Sequence, residues 1–470
     1  MEETRKRRAL FGVMLTIFLA AMESTVVATA MPTVVESLGG IHIYSWVFSG
    51  FLLTSTVTMP LWGRLSDLFG RRPTYLTGLV IFLAGSALSG LADSMAQLIA
   101  FRMVQGLGAG SLITIGMTIV GDLFGLERRA KMQGYISGVW GVSSFVGPLL
   151  GGFLTDHVSW RWVFYINLPF GAIAMALIGG ALGEEGRARR RPVIDYAGLA
   201  LFTAGVSAVL LGVVEAGRAG TWSGPDVLVP LVGALLLLAA FVAVERRAIE
   251  PIVPLRLFAN RIVLAAAATG FLAGMAMFGA ISFVPLFLQS VTGTSATGAG
   301  FVLMPFILGW VAMSITSARL VLRIGYRSVV TAGMVFLTGG FVLLTRWGVS
   351  LTQGAAMRDV LLAGVGMGMT MVPMLIAVQS AVPRADLGAA TSVTQFFRTV
   401  GGTIGLSVMG AVMAQRLQAG SPLADALHGV FVVGFVVCLA ALGSAFLVPG
   451  GRARDLARAE MRGEPTGAGG

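Results

Sequence analysis

The chain has 470 residues, 56% of them hydrophobic and only 12% charged, with a formal net charge of +11 and a mean hydropathy of +0.85. Soluble domains carry about a quarter charged residues, so this composition excludes a soluble protein and requires an integral membrane one. The single cysteine, Cys438, excludes internal disulfides and thiolate metal clusters and reads as a small core residue.

Apolar runs near the 20 residues needed to cross a ~30 Å hydrocarbon core lie at 10–32, 46–63, 74–92, 97–121, 133–155, 162–182, 194–214, 226–244, 262–290, 297–317, 328–346, 357–380, 388–413 and 428–448. They predict an all-α polytopic protein with fourteen spans. The first follows Arg5, Lys6, Arg7 and Arg8, is too long for a signal-peptide core and has no small-residue cleavage site after it, so it is read as a retained helix. It carries Glu23 near its centre. A charge there costs roughly 2.5–3.5 kcal/mol on insertion scales, which makes an intramembrane acid a functional candidate by default.

An even span count puts both termini on one face, and that face carries 26 Lys and Arg against 5 on the other. The asymmetry predicts cytoplasmic termini and accounts for the net charge without nucleic acid. Two basic residues remain inside spans, Arg102 in the fourth and Arg398 in the thirteenth. Glu23 is the one acid well inside a span, because Asp122 and Asp195 fall near span ends. Arg102 has Gln105 on the same helix face at i+3. It sits only one to two turns in, so it either snorkels to the outer interface or faces a cavity. Arg398, with Gln395 at i−3, lies nearer mid-span and is expected to face the cavity.

A repeat links the two ends of the chain. GRLSDLFGRR at 63–72 returns as ARLVLRIGYR at 318–327, an offset of 255, and QGLGAGSL at 105–112 returns as AGVGMGMT at 363–370, an offset of 258. The chain is therefore expected to divide into a cytoplasmic tail (1–9), a six-helix half (10–182) and a linker (183–193). An inserted two-helix hairpin (194–244), a second linker (245–261), a second six-helix half (262–448) and a disordered tail (449–470) follow. Paired repeats with a site between them near the midplane are the architecture of secondary transporters.

The most specific motif is the loop Gly63 to Pro73. Gly70 permits a tight turn, Pro73 suits a first helical turn, and Asp67 with Arg71 can pair with a neighbouring helix end; Arg72 completes the basic run. Asp122 closes the fourth span, where it opposes the helix dipole unless a cation such as Arg71 pairs with it. In the fifth span Gly147, Pro148, Gly151 and Gly152 either form a hinge and seal or simply let another helix approach. Trp140, Phe278, Phe283, Met304 and Trp310 read singly as packing or lipid-facing residues, and as a set as the lining of an adaptable apolar cavity. No P-loop and no metal-spaced cluster occurs, and His42, His157 and His428 all fall in or beside predicted external loops. No cofactor is expected, and the energy source is expected to be an ion gradient.

The loop at 63–73 is similar to the signature between helices 2 and 3 of the major facilitator superfamily. Arg102 to Gly110 resembles that superfamily's helix-4 motif, and Gly147 to Gly152 its antiporter motif. Met22 to Val27 with Ala30 to Pro32, and Trp160 to Pro169, resemble the fourteen-helix drug:proton antiporter branch. Two departures stand out: Glu23 where that branch more often has Asp, and Ala318 and Leu322 in the second half where Gly63 and Asp67 stand in the first.

The resemblance implies the major facilitator fold, a charge cluster of Asp67, Arg71 and Asp122 that stabilises the outward-open state, and proton traffic influenced by Arg102. The expected activity is antiport of protons against lipophilic cationic or neutral drugs across a bacterial inner membrane, by a monomer among membrane lipids. Glu23 would carry the proton, with Gln105, Gln395 and Arg398 in the substrate cavity, and dications handled poorly by a single carboxylate. An exporter of an endogenous lipid, siderophore or secondary metabolite is the alternative cargo reading, since two cavity arginines suit an anionic head group. A non-transporting sensor or scaffold would show no flux.

Overall fold

Without water to satisfy its N–H and C=O groups, an apolar backbone must pair them internally. The computed structural model, which describes residues 3–40, 43, 46–183, 195–294 and 296–450, does so with helices alone among those residues. Of residues 24, 144, 145, 218, 296 and 297 only the backbone is described. Most of the linker at 183–193 and of the tail at 449–470 lies outside the described residues.

The first half comprises α1 (Glu3–Leu38), α2 (Trp46–Phe69), α3 (Arg71–Gly90), α4 (Met95–Leu123), α5 (Leu126–His157), α6 (Trp162–Tyr165) and α7 (Asn167–Ala181). The hairpin is α8 (Tyr196–Ala219) and α9 (Pro225–Glu245). The second half comprises α10 (Arg261–Ser290), α11 (Ala296–Ile324), α12 (Tyr326–Leu344), α13 (Gln353–Ser380), α14 (Leu387–Gln418) and α15 (Leu423–Ala445). Because α6 and α7 are two pieces of the sixth span, the fourteen expected spans are present. By length and hydropathy together thirteen helices among the described residues qualify as membrane spans. The one that does not is α2, whose Ser49, Thr54, Ser55, Thr56 and Thr58 lower its hydropathy. Several helices overrun their apolar runs: α1 starts at Glu3, so the basic residues expected in a tail form its first turns.

Each half has its own apolar core, and a third core joins them. Val57 and Met59 of α2, Phe202, Val206 and Leu210 of α8, Phe241 of α9 and Val393, Phe396 and Val400 of α14 pack together with Ile252 and Val253. The hairpin therefore lies over the seam where α2 meets α14, and Val229, Leu235 and Leu236 on its far side are exposed. Cys438 is free and buried, as its apolar span requires.

Candidate functional site: a buried acid and a charged latch

Glu23 lies wholly inside the first half, with 0% exposure. One carboxylate oxygen is ion-paired with Arg102 of α4. The other accepts Asn167 Nδ2 at 2.7 Å. Asn167 reaches it because the sixth span breaks at Ile166 and restarts as α7, with Pro169 in the new first turn removing a backbone donor. Asn167 Nδ2 also donates to Ser86 Oγ at 2.9 Å, which in turn donates to Phe164 O at 2.9 Å.

Arg102 is 1% exposed, so it neither snorkels to the interface nor lines an open cavity. Its guanidinium donates to Gln105 Oε1 at 2.8 Å and Val47 O at 3.3 Å, and lies 4.1 Å from the centre of the Phe51 ring. Gly85 makes this possible: a Cβ there would stand 2.5 Å from Gln105 Cα, so only a glycine lets α3 press against α4 and wall off the site. A buried charge that loses its partner costs about 3–5 kcal/mol. The site carries spare capacity as well, since Gln105 Nε2 and Asn167 Oδ1 are buried without a hydrogen-bond partner among the described residues.

The second cluster sits on the basic face and crosses between the halves. Gly70, at φ 92°, turns the chain from α2 into α3 and brings Arg71 beside Asp67, 2.5 Å away. Arg71 also donates to Ser66 Oγ and to Asp122 Oδ2, each at 2.7 Å. Asp67 accepts the backbone N–H groups of Gly388 at 2.9 Å and Ala389 at 2.8 Å. These are in the first turn of α14, so a first-half carboxylate caps a second-half helix at its positive end. Arg384 of the second half returns the contact to Asp122 at 3.2 Å. Arg72 takes no part in these bonds. Gly63 lies where a Cβ would stand 2.5 Å from Gly388 O, which lets α2 and α14 touch backbone to backbone.

The other expected site residues are dispersed. Gln395 meets Met117 across the halves. Arg398 is half-buried on α14, its Cβ turned towards Gly270 of α10, and has no ion pair among the described residues. Phe283, expected in the cavity, belongs to the core of the second half. Phe278 covers Gly402, and Trp310 packs edge-on against Phe306. Met304 and Trp140 are half-buried, Trp140 against the core of the first half. Gly147 and Gly151 press on Met22 O and Val26 O of α1, Pro148 is exposed, and Gly152 faces open space. The close packing of that motif is thus carried by its first and third members. Sequence reasoning did not single out Asn167, Ser86, Gln379 or Arg384. Gln379 holds Met117 O at 3.1 Å and lies 3.4 Å from Gln133.

The family profile described as Major Facilitator Superfamily matches residues 13–406. The chain belongs to that superfamily. It is 39% identical over 427 residues to the multidrug transporter protein MdtP of Bacillus subtilis (strain 168), across 91% of this chain and 78% of that one. Multidrug resistance protein 3 of the same strain is 34% identical over 419 residues, 89% and 81% of the two chains. Efflux pump FUS6 of Gibberella moniliformis is 30% identical over 433 residues, 89% and 77%. Among solved structures, the human organic anion transporter MFSD10 aligns with a TM-score of 0.67 at 19% identity over 95% of this chain and 100% of its own. The proton:xylose symporter XylE aligns at 0.65 and 13% identity over 93% and 95%. These two share the fold. This major facilitator protein is accordingly a membrane-embedded transporter, not an enzyme.

Proposed function

We propose that this transporter exports lipophilic cationic or neutral compounds across the cytoplasmic membrane in exchange for protons, with both termini in the cytoplasm. The observation that carries the reading is Glu23, a wholly buried carboxylate held by one arginine and one asparagine of its own half. A proton arriving on Glu23 dissolves the ion pair with Arg102. Val47 O, Gln105 Oε1 and the Phe51 ring then keep the guanidinium solvated, so the pair can break without stranding a bare charge.

The latch supplies the other half of an alternating cycle. Asp67 on the α14 terminus, Arg384 on Asp122 and Gly63 against Gly388 tie the halves together on the basic face; with that face in the cytoplasm, this is the outward-facing half of the cycle. Rocking the halves apart there requires Asp67 to release two backbone N–H groups. The relatives named as multidrug transporters support drugs as cargo. A second reading, export of an anionic secondary metabolite, is favoured by Arg398, a half-buried cation without an ion pair among the described residues.

The test is efflux from proteoliposomes carrying an imposed proton gradient, with a lipophilic monocationic dye as cargo. Glu23→Gln should reduce gradient-driven efflux to that of protein-free liposomes while the variant still exchanges dye between equal concentrations. Undiminished gradient-driven efflux by E23Q would sink the proposal. If anionic dyes are exported and cationic ones are not, the second reading replaces the first.

A further inference from the structure

The inserted hairpin ends on the basic face in polar groups that the cycle above leaves unused. Asp195 caps α8, accepting Gly198 N through Oδ1 at 2.8 Å. Glu245 ends α9, accepting Val253 N through Oε1 at 2.5 Å. Their second oxygens, Asp195 Oδ2 and Glu245 Oε2, are both buried and have no hydrogen-bond partner among the described residues. Glu245 as a whole is 3% exposed. Both orphan oxygens point at one small space beside Gly198: the position of a Cβ on that glycine would lie 3.0 Å from Glu245 Oε2 and closer still to Asp195 Oδ2.

Among the described residues, one cation from another element acts on this space, Arg64 of α2. Its Nε is buried without a hydrogen-bond partner among the described residues, and its Nη1 lies 3.8 Å from Asp386. Asp386 is itself held by Arg256 at 2.9 Å. Two ionised carboxylates facing one buried space repel each other. A single proton removes that repulsion and gives both orphan oxygens a partner, as the donor and acceptor of one O–H···O bond.

We propose that Glu245 holds a proton and donates it to Asp195 Oδ2, forming a second proton site that clasps the base of the inserted hairpin. The site is independent of Glu23 and of the transport reading. With the proton bound, Glu245 stays on Val253 N, and Ile252 and Val253 stay in the core that joins the hairpin to α2 and α14. As pH rises the proton leaves, the carboxylates repel, and the segment at 252–253 loosens.

Two measurements on the full-length protein in lipid nanodiscs test this. Infrared difference spectra between about pH 5.5 and about pH 9.5 should show a protonated-carboxyl band that is lost with rising pH. It should be missing from E245Q and from D195N and present in E23Q. In a C438S background, maleimide labelling of Val253→Cys should be slow at the acid end and about tenfold faster at the alkaline end. E245Q and D195N, whose amides replace the proton, should label slowly at every pH.

A wild type that shows neither the band nor the pH-dependent labelling overturns the proposal, whatever the variants do. So does an E245Q protein that labels fast at acid pH, because that result means Glu245 must be ionised and paired with Arg64.

Discussion

Two seams join the halves, and the repeat relates one to the other. At the first, Gly63 of α2 meets Gly388 of α14. At the second, Gly134 of α5 meets Ile315 of α11, three residues before Ala318, the counterpart of Gly63. The first seam carries Asp67, Arg71 and Asp122 and is overlaid by the hairpin. At the second, the offsets of 255 and 258 put Leu322, Tyr326 and Ser380 in the places of those three charges.

The buried site divides the same way. Gly85 meets Gln105 in the first half as Gly340 meets Ala363 in the second, which makes Val360 the counterpart of Arg102. Gly147 meets Met22 O as Gly401 meets Phe271 O, which makes Leu272 the counterpart of Glu23. The glycine contacts around the buried site were thus kept in both copies of the repeat, whereas the charges stand in one. Packing specifies the fold and must hold in both halves. A proton site and a latch are needed only once, and a second buried set would add its own desolvation penalty.

The largest effect should come from removing the latch. Asp67→Ala takes away the cap of α14 and one of the two carboxylates on Arg71, a change worth about 3–5 kcal/mol for a broken buried pair. Ser392→Cys, in a C438S background, reports closure because Ser392 is buried against Gly63. D67A should raise maleimide labelling at that position more than about tenfold, and Leu322→Ala less than about twofold. Equal rates in the two variants would show that the seams are functionally alike.

Next come the glycines of the seams themselves. A Cβ on Gly63 meets a backbone carbonyl at 2.5 Å, which cannot move aside, while one on Gly134 meets Ile315 Cα at 3.0 Å. Overpacking of this kind costs typically about 1–3 kcal/mol. Gly63→Ala should therefore lower the thermal unfolding midpoint and the efflux rate more than Gly134→Ala does. The reverse order would mean that the charged seam is the more compliant of the two.

Much of this was legible in the sequence. Span lengths follow from bilayer thickness, and Glu23 and Arg102 were conspicuous because a charge in hydrocarbon needs a reason. The Asp67–Arg71 pair followed from a four-residue spacing across a turn. What could not be read was pairing between distant segments. Asn167 sits 144 residues from Glu23 and reaches it only through the break at Ile166. Gly388 and Ala389 offer Asp67 nothing but backbone, which carries no sequence signal. The aromatic and methionine set misled for a related reason: apolar side chains fit a cavity wall and a helix interface equally well, and Phe283 went to the interface.

The smallest effect should be shared by both halves. Gly70 at φ 92° and Gly325 at φ 84° make the same turn between the second and third helix of their halves, in a region of backbone conformation that is essentially confined to glycine. No charge is altered by changing either to alanine, and the space at Gly70 is open to a Cβ, whose one contact within 4 Å is Pro73 Cδ at 3.9 Å. At Gly70 the penalty is therefore backbone strain alone, about 1 kcal/mol at the lower end of the range for such positions, and Gly325 shares the positive φ that sets it. Gly70→Ala and Gly325→Ala should lower the unfolding midpoint by the same small amount, in contrast to D67A and L322A, which should differ widely. If G70A proves far more damaging than G325A, the turn in the first half has been recruited to set the geometry of the latch, and the asymmetry between the halves extends from side-chain charge into the backbone.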